Sequence, residues 1–246
     1  MSAGHSFNAP ATARDAVSDP ARADVLRGLF PPAVEIALSN PRAPQPALWP
    51  DEASAIARAV PARAQEFAAG RAAARAALGA LGHPPAAIPM APDRAPVWPA
   101  DVVGSISHTA DLCAAALAPA AAFRAIGIDL EDHADLPADL LPMVCTLDER
   151  AWLASQPRDA AGILARLIFS AKECAYKCQY RMTETLFDFD TLEVTPDLDT
   201  GQFEATFTRQ IGAFGAGARL AGRFVITQDL IACGMALGST PGAARG

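Results

Sequence analysis

The chain has 246 residues, a formal net charge of −7 and a composition that is 51% hydrophobic. This length admits one large domain or two packed small ones, and the acidic balance excludes a general nucleic-acid binder, so any anionic ligand must be met by a local basic site. Charges or prolines interrupt every apolar run, which excludes a membrane span; Met1–Pro20 lacks a secretion-signal core, and five cysteines without a C-x-x-C pair fit a reduced, cytoplasmic protein.

Residues 1–25 carry scattered Ala, Pro, Ser and Asp and read as a loosely structured lead. Six prolines between 31 and 50 rule out a continuous helix there, leaving room for a short strand over 34–38. From 52 to 81 the pattern turns helical. Pro61 suits a first helical position, Phe67, Ala74 and Leu78 recur at helical spacing, and Gly82 is a stop. Strands follow over 102–107, 113–117 and 125–131. Thr146 and Glu149 form a capping box for a short helix through 152, and a longer helix runs over 160–181. Segments 191–195, 202–208, 218–227 and 230–237 read as a strand meander. A helix followed by strands thus occurs twice. That predicts an α+β fold of two similar halves, 26–122 and 123–238, meeting near 119–124, with a flexible tail over 239–246.

Only two lysines occur, Lys172 and Lys177, against eighteen arginines, and they flank Glu173 in one segment. An ammonium is a compact point charge and a guanidinium a planar fork, so this pairing suits a phosphate ligand beside a carboxylate; composition alone could also leave two lysines. On a helix Glu173 and Lys177 share one face, where a surface ion pair is the plain alternative. In Gly127-Ile128-Asp129-Leu130-Glu131, strand alternation puts both carboxylates on one face and the apolar residues on the other. A hard cation, Mg²⁺ with Mn²⁺ as a substitute, would relieve the repulsion; solvent-facing strand carboxylates fit D-x-E equally well. Ser107, His108 and Thr109 end a strand and could hold phosphate oxygens. A serine nucleophile with His108 as base fits poorly, because adjacent strand residues point apart. Arg71, Arg75 and Arg94, with His108 and the lysines, would make a basic pocket in an acidic protein; singly, each arginine also fits a solvated face.

Four segments stand in order: Gly70-Arg71 with Arg75 and Leu78; Arg94-Ala-Pro-x-Trp-Pro leading to Gly104-Ser-Ile-Ser-His108; Gly127-Ile-Asp129-Leu-Glu131; and Phe169-Ser-Ala-Lys172-Glu173-x-x-Tyr176-Lys177. This resembles the 4′-phosphopantetheinyl transferase superfamily, in its longer pseudo-dimeric class of enterobactin- and surfactin-type enzymes, with the enterobactin-type branch nearer. The resemblance implies a pseudo-two-fold chain with coenzyme A in the cleft between the halves. It implies Mg²⁺ on Asp129, Glu131 and Glu173. Lys172 and Lys177 would lie near the phosphates, Ser107, His108 and Thr109 in a phosphate-contacting loop, and Arg71, Arg75 and Arg94 at the adenosine end and its 3′-phosphate.

The reaction implied is attack of an apo carrier-protein serine (acyl, peptidyl or aryl carrier) on the β-phosphorus of coenzyme A, with release of 3′,5′-ADP. Glu173, directly or through a metal-bound water, is the candidate base, with another of the metal-ligand carboxylates as the alternative, and Lys177 or Lys172 a contact to the transferring phosphate. A monomer is expected, meeting its carrier around Arg166, Tyr180 and Arg181. Two readings compete: a non-catalytic coenzyme A or nucleotide module, and a Mg²⁺-dependent phosphoanhydride hydrolase. The three carboxylates disfavour the first; no Walker loop or dinucleotide G-x-G-x-x-G is present for other phosphate chemistry.

Overall fold

The computed structural model describes residues 20–239. In chain order the elements are α1 (Pro20–Arg27), β1 (Glu35–Ser39), α2 (Pro50–Ala53), α3 (Pro61–Ala80), β2 (Val102–His108), β3 (Cys113–Pro119), β4 (Phe123–Asp132), α4 (Leu141–Val144), α5 (Leu147–Ala154), α6 (Ala161–Thr183), β5 (Leu192–Asp197), β6 (Gln202–Phe207), β7 (Arg219–Ile226) and β8 (Leu230–Gly238). The fold is α+β with two antiparallel sheets, β1-β3-β2 and β4-β8-β7-β6-β5.

One departure from the sequence reading is at the lead. Residues 1–19 lie outside the described residues, but Pro20 opens a helix whose Leu26 is fully buried. Its mean hydropathy is low and only one residue sits in the core, so no amphipathic period announces it. Elsewhere local chemistry set the boundaries. Pro61 occupies the first turn of α3. At its other end Gly82 takes φ +74°, and the amides of Gly82 and His83 reach the carbonyls of Gly79 and Leu78. That is the paired 5→2 and 6→1 closure for which glycine is favoured. Thr146 and Glu149 close the predicted capping box on α5.

The connectivities of the two sheets correspond. In each, a strand (β1 or β4) leads through a long helix (α3 or α6) to a hairpin (β2–β3 or β7–β8), and the hairpin's second strand pairs with the first; β5 and β6 extend the second sheet. Each also has a buried glutamate at the third position of a short helix. Glu52 of α2 accepts from the amides of Trp49 and Ile88 and pairs with Arg75 of α3 at 2.8 Å. Glu149 of α5 accepts from the amides of Thr146 and Val194 and pairs with Lys172 of α6 at 2.7 Å.

Among the described residues three buried clusters form. One lies beneath α3, one beneath α6, and a third joins the sheets with α1, where Ile126, Ile128 and Leu130 of β4 meet Val103, Ala114 and Ala116. This leaves the opposite face of β4 to Gly127, Asp129 and Glu131. β4 is also an edge strand, whose outward amides need partners. Side chains from the other sheet supply them: Ile128 N–H and Leu130 N–H donate to Ser105 Oγ and Ser107 Oγ, each at 3.2 Å.

Gly127 lets α6 settle on that face. A Cβ there would stand 2.2 Å from the carbonyl oxygen of Cys174 and 2.9 Å from Cys178 Cβ. Gly127→Ala is expected to cost about 1–3 kcal/mol or more, as overpacking does, and to appear as a fall in Tm.

Candidate active site

A cavity of about 480 Å³ opens where the two sheets' elements meet. Its walls come from α3, the 93–98 loop, β2, β4 and α6, and Asp129, Glu131 and Glu173 all line it. α6 contributes one stripe, Arg166, Ser170, Glu173 and Lys177, at helical spacing opposite the carboxylates of β4.

Each carboxylate has a different setting. Asp129 is buried; its Oδ1 accepts from Lys177 Nζ at 2.6 Å and Ser107 Oγ at 3.0 Å, and its Oδ2 from Ser170 Oγ at 2.8 Å. Glu131 accepts from Arg166 Nη1 at 3.0 Å. Burial and then the charge of Asp129 push its carboxyl up to about 7, with Arg166 pulling the other way. Glu173 has no hydrogen bond or ion pair among the described residues; burial raises its pKa, Lys177 opposes that, and Asp129 adds to it. For Lys177, burial pulls the ammonium down, yet Asp129's charge and hydrogen bond outweigh it and the net shift is upward. Among the described residues no three His, Cys, Asp or Glu side chains are drawn together tightly enough to hold an ion as they stand.

The surface ion pair between Glu173 and Lys177, the plain alternative in the sequence, is not formed. Lys177 turns to Asp129, Ser107 and the carbonyl of Ile128 instead. It lines the cavity with a side chain 27% exposed. The Ser107 hydroxyl is likewise committed: it donates to Asp129 and accepts from Leu130 N–H and Lys177.

Residues 51–118 match the 4′-phosphopantetheinyl transferase N-terminal domain and residues 125–227 the 4′-phosphopantetheinyl transferase superfamily. The chain is 41% identical over 211 residues to 4′-phosphopantetheinyl transferase Svp of Streptomyces mobaraensis, covering 83% of this chain and 85% of that protein. It is 40% identical over 156 residues to Npt of Nocardia iowensis, covering 63% and 69%. With enterobactin synthase component D of Escherichia coli (strain K12) it shares 34% over 146 residues, covering 58% and 68%. The chain belongs to the 4′-phosphopantetheinyl transferase superfamily. It is thus a transferase that moves phosphopantetheine from coenzyme A to carrier proteins. The enterobactin-type proteins are one of several related groups, and Svp shares more identity with this chain than they do.

Two cations expected at the transferase's ligand are elsewhere. Lys172 is 1% exposed, paired with Glu149, and donates to the carbonyls of Val144 at 2.8 Å and Phe189 at 3.0 Å. Arg75 gives its Nη1 to both oxygens of Glu52 at 2.8 Å and is not on the cavity wall. Helical geometry explains both. Lys172 is one residue from Glu173 and so about 100° around α6, facing the core, while Arg75 lies a turn beyond Arg71. The two occupy corresponding places, each neutralising the buried glutamate of its own short helix.

Other expected residues divide similarly. Arg71 lines the cavity, its guanidinium 4.0 Å over the Phe67 ring and its Nε donating to Ile88 O. Arg94 lines it from a loop where its φ is +73°. His108 lines it too, with Nε2 3.1 Å from Arg63 Nη1 and 3.6 Å from Glu66. Thr109 does not: its Oγ1 accepts from Asp111 N–H and Leu112 N–H and shapes the β2–β3 turn. Arg166 is not a free surface cation for a carrier, since Glu131 and the carbonyls of Ala134 and Asp135 take its guanidinium.

Several wall residues escaped the sequence reading. Arg63 lies on the α3 face that carries Phe67, Gly70 and Arg71, at spacings of four, seven and eight, so that face was its signal. Asp93 accepts from Tyr180 Oη at 2.6 Å, tying the 93–98 loop to α6 across the cavity; a contact between residues 87 apart leaves no local pattern. Trp98 and Tyr176 add aromatic surface.

Proposed function

We propose that this transferase is Mg²⁺-dependent, holds coenzyme A in the cavity between two similar halves (26–122 and 123–238), and delivers the 4′-phosphopantetheine arm to a carrier-protein serine with release of 3′,5′-ADP. The single observation that carries this reading is three carboxylates, Asp129 and Glu131 from β4 and Glu173 from α6, lining one cavity otherwise rich in cations. The cytoplasm and a monomeric state are part of the same reading; among the described residues no helix is long and apolar enough to cross a membrane.

The residues suit a hard divalent cation. All three offer oxygen donors, the donor set Mg²⁺ requires. Burial, and after it the charge of Asp129, raises two of them; a cation would favour their charged forms. Among the described residues Glu173 has no hydrogen-bond or ion-pair partner to surrender, Glu131 has Arg166, and Asp129 Oδ2 accepts from Ser170 Oγ. Bound there with the diphosphate of coenzyme A, the ion would supply charge neutralisation at the transferring and leaving oxygens.

The chain's own side chains do the rest. Arg71, Arg94 and His108 set positive charge on the wall toward the nucleotide end, and Arg63 joins them. Lys177 fixes Asp129 and keeps an ammonium at the cavity. Glu173, raised by burial, takes the proton from the carrier serine. The serine oxygen forms the new bond to the β-phosphorus as the bond to 3′,5′-ADP breaks, so catalysis is mainly positioning and charge.

Lys177→Arg should test the wall. A planar fork cannot reproduce three convergent donors on Asp129, Ser107 and Ile128 O, so transfer should fall by roughly 10-fold or more, the scale set by loss of a ligand's outer partner. Unchanged transfer to an apo carrier would contradict this. The function itself is tested by mass spectrometry of apo carriers incubated with coenzyme A and Mg²⁺. The added phosphopantetheine mass is expected, with 3′,5′-ADP formed only when carrier is present; ADP formed without carrier would favour a hydrolase.

A further inference from the structure

Arg166 stands at the end of the α6 stripe, one turn before Ser170, and its guanidinium is held on three sides. Nη1 donates to Glu131 Oε2 at 3.0 Å, Nη2 to Asp135 O at 2.9 Å and Nε to Ala134 O at 3.2 Å. Its side chain is 19% exposed and that of Glu131 22%. The two carbonyls belong to the segment that follows β4, which ends at Asp132. Arg166 therefore spans the carboxylate and the backbone three and four residues beyond it.

A guanidinium bound this way has little rotational freedom, because its planar donors meet three fixed acceptors at once. A surface arginine waiting for an acidic partner protein would keep donors free. Two of the three bonds would hold Arg166 in place even if Glu131 changed partner. With Oε2 on Arg166, the other oxygen of Glu131 is the one left for a ligand.

We propose that Arg166 is a positioning residue for the transferase reaction, fixing the Glu131 carboxylate so that its free oxygen faces the cation site. This rests on the reading of Asp129, Glu131 and Glu173 as the cation ligands. It makes Ser170 and Arg166 counterparts along one helix, Ser170 holding Asp129 and Arg166 holding Glu131. Arg166 does not touch the reacting atoms. Its loss acts through Glu131.

The test is calorimetric titration of Mn²⁺ into the full chain with saturating coenzyme A, comparing wild type, Arg166→Gln, Arg166→Lys and Glu131→Gln, alongside kinetics with an apo carrier. Arg166→Gln should weaken Mn²⁺ binding by roughly 10-fold, as loss of an outer partner does. It should lower kcat at fixed Mg²⁺ and leave the KM for carrier unchanged. Arg166→Lys keeps the charge with fewer bonds and should fall between the two; it reads the same effect if the glutamine variant does not fold. Wild-type Mn²⁺ affinity in Arg166→Lys and Arg166→Gln, with Glu131→Gln weakened, would overturn the positioning role alone. A raised carrier KM with unchanged Mn²⁺ affinity would overturn it in favour of a docking contact. Unchanged affinity in Glu131→Gln would instead remove the cation reading beneath it.

Discussion

Glu173→Gln is expected to reduce transfer to an apo carrier by at least about 100-fold, the upper end of what losing only an outer partner of a metal ligand brings, while the fold keeps its Tm or gains slightly. Both halves of that expectation come from the same setting. Glu173 is on the cavity wall, buried enough that its pKa is raised, and has no hydrogen-bond or ion-pair partner among the described residues. An ionised carboxylate in such a place destabilises the metal-free fold. Replacing it with a neutral amide of the same shape removes that cost, and with it one cation ligand and the proposed base. Circular dichroism melts and carrier mass spectrometry on one preparation would separate stability from activity. A variant that transfers at the wild-type rate would remove Glu173 from both roles. Asp129 offers a less clean substitution, because Asp129→Ala would also strip the acceptor from Lys177, Ser107 and Ser170.

Lys172→Ala, one residue away, should do the reverse. Lys172 and Glu149 are each 1% exposed at the side chain, and removing one member of a buried pair leaves the other charge unpaired, at a cost of about 3–5 kcal/mol. The carbonyls of Val144 and Phe189 also lose their donor. The variant should melt well below wild type or fail to fold. The double change Lys172→Met with Glu149→Gln should recover part of the loss, since both charges leave together, while the glutamine keeps one oxygen for the two amides of Thr146 and Val194. What folds should bind coenzyme A as wild type does. A stable Lys172→Ala protein with a raised KM for coenzyme A would restore the phosphate role that its sequence position suggests.

The contrast between these neighbours marks what a sequence can carry. Lys172, Glu173 and Lys177 form one motif in the chain, yet a helix turns adjacent residues through about 100°, and only a known partner decides which face is the core. Nothing local links Lys172 to Glu149 or Arg75 to Glu52; both pairs follow from short helices folding back onto long ones. Asp129 and Glu131 were legible because strand alternation with Ile126, Ile128 and Leu130 fixes their side without any partner. The same holds for Pro61, Gly82 and the Thr146–Glu149 box, whose effects act within four or five residues. The Asp93–Tyr180 bridge and the serine hydroxyls capping β4 join distant segments, and those only the fold reveals.

The claim beneath all of this is that Asp129, Glu131 and Glu173 share one divalent ion with the diphosphate of coenzyme A. Electron–nuclear double resonance of Mn²⁺ bound with coenzyme A tests it most directly, through the ³¹P hyperfine coupling of a phosphate on the metal. The account predicts one such Mn²⁺ per chain in wild type and its loss in Asp129→Asn, Glu131→Gln and Glu173→Gln. The same ³¹P-coupled Mn²⁺ retained at wild-type occupancy in all three variants would contradict it.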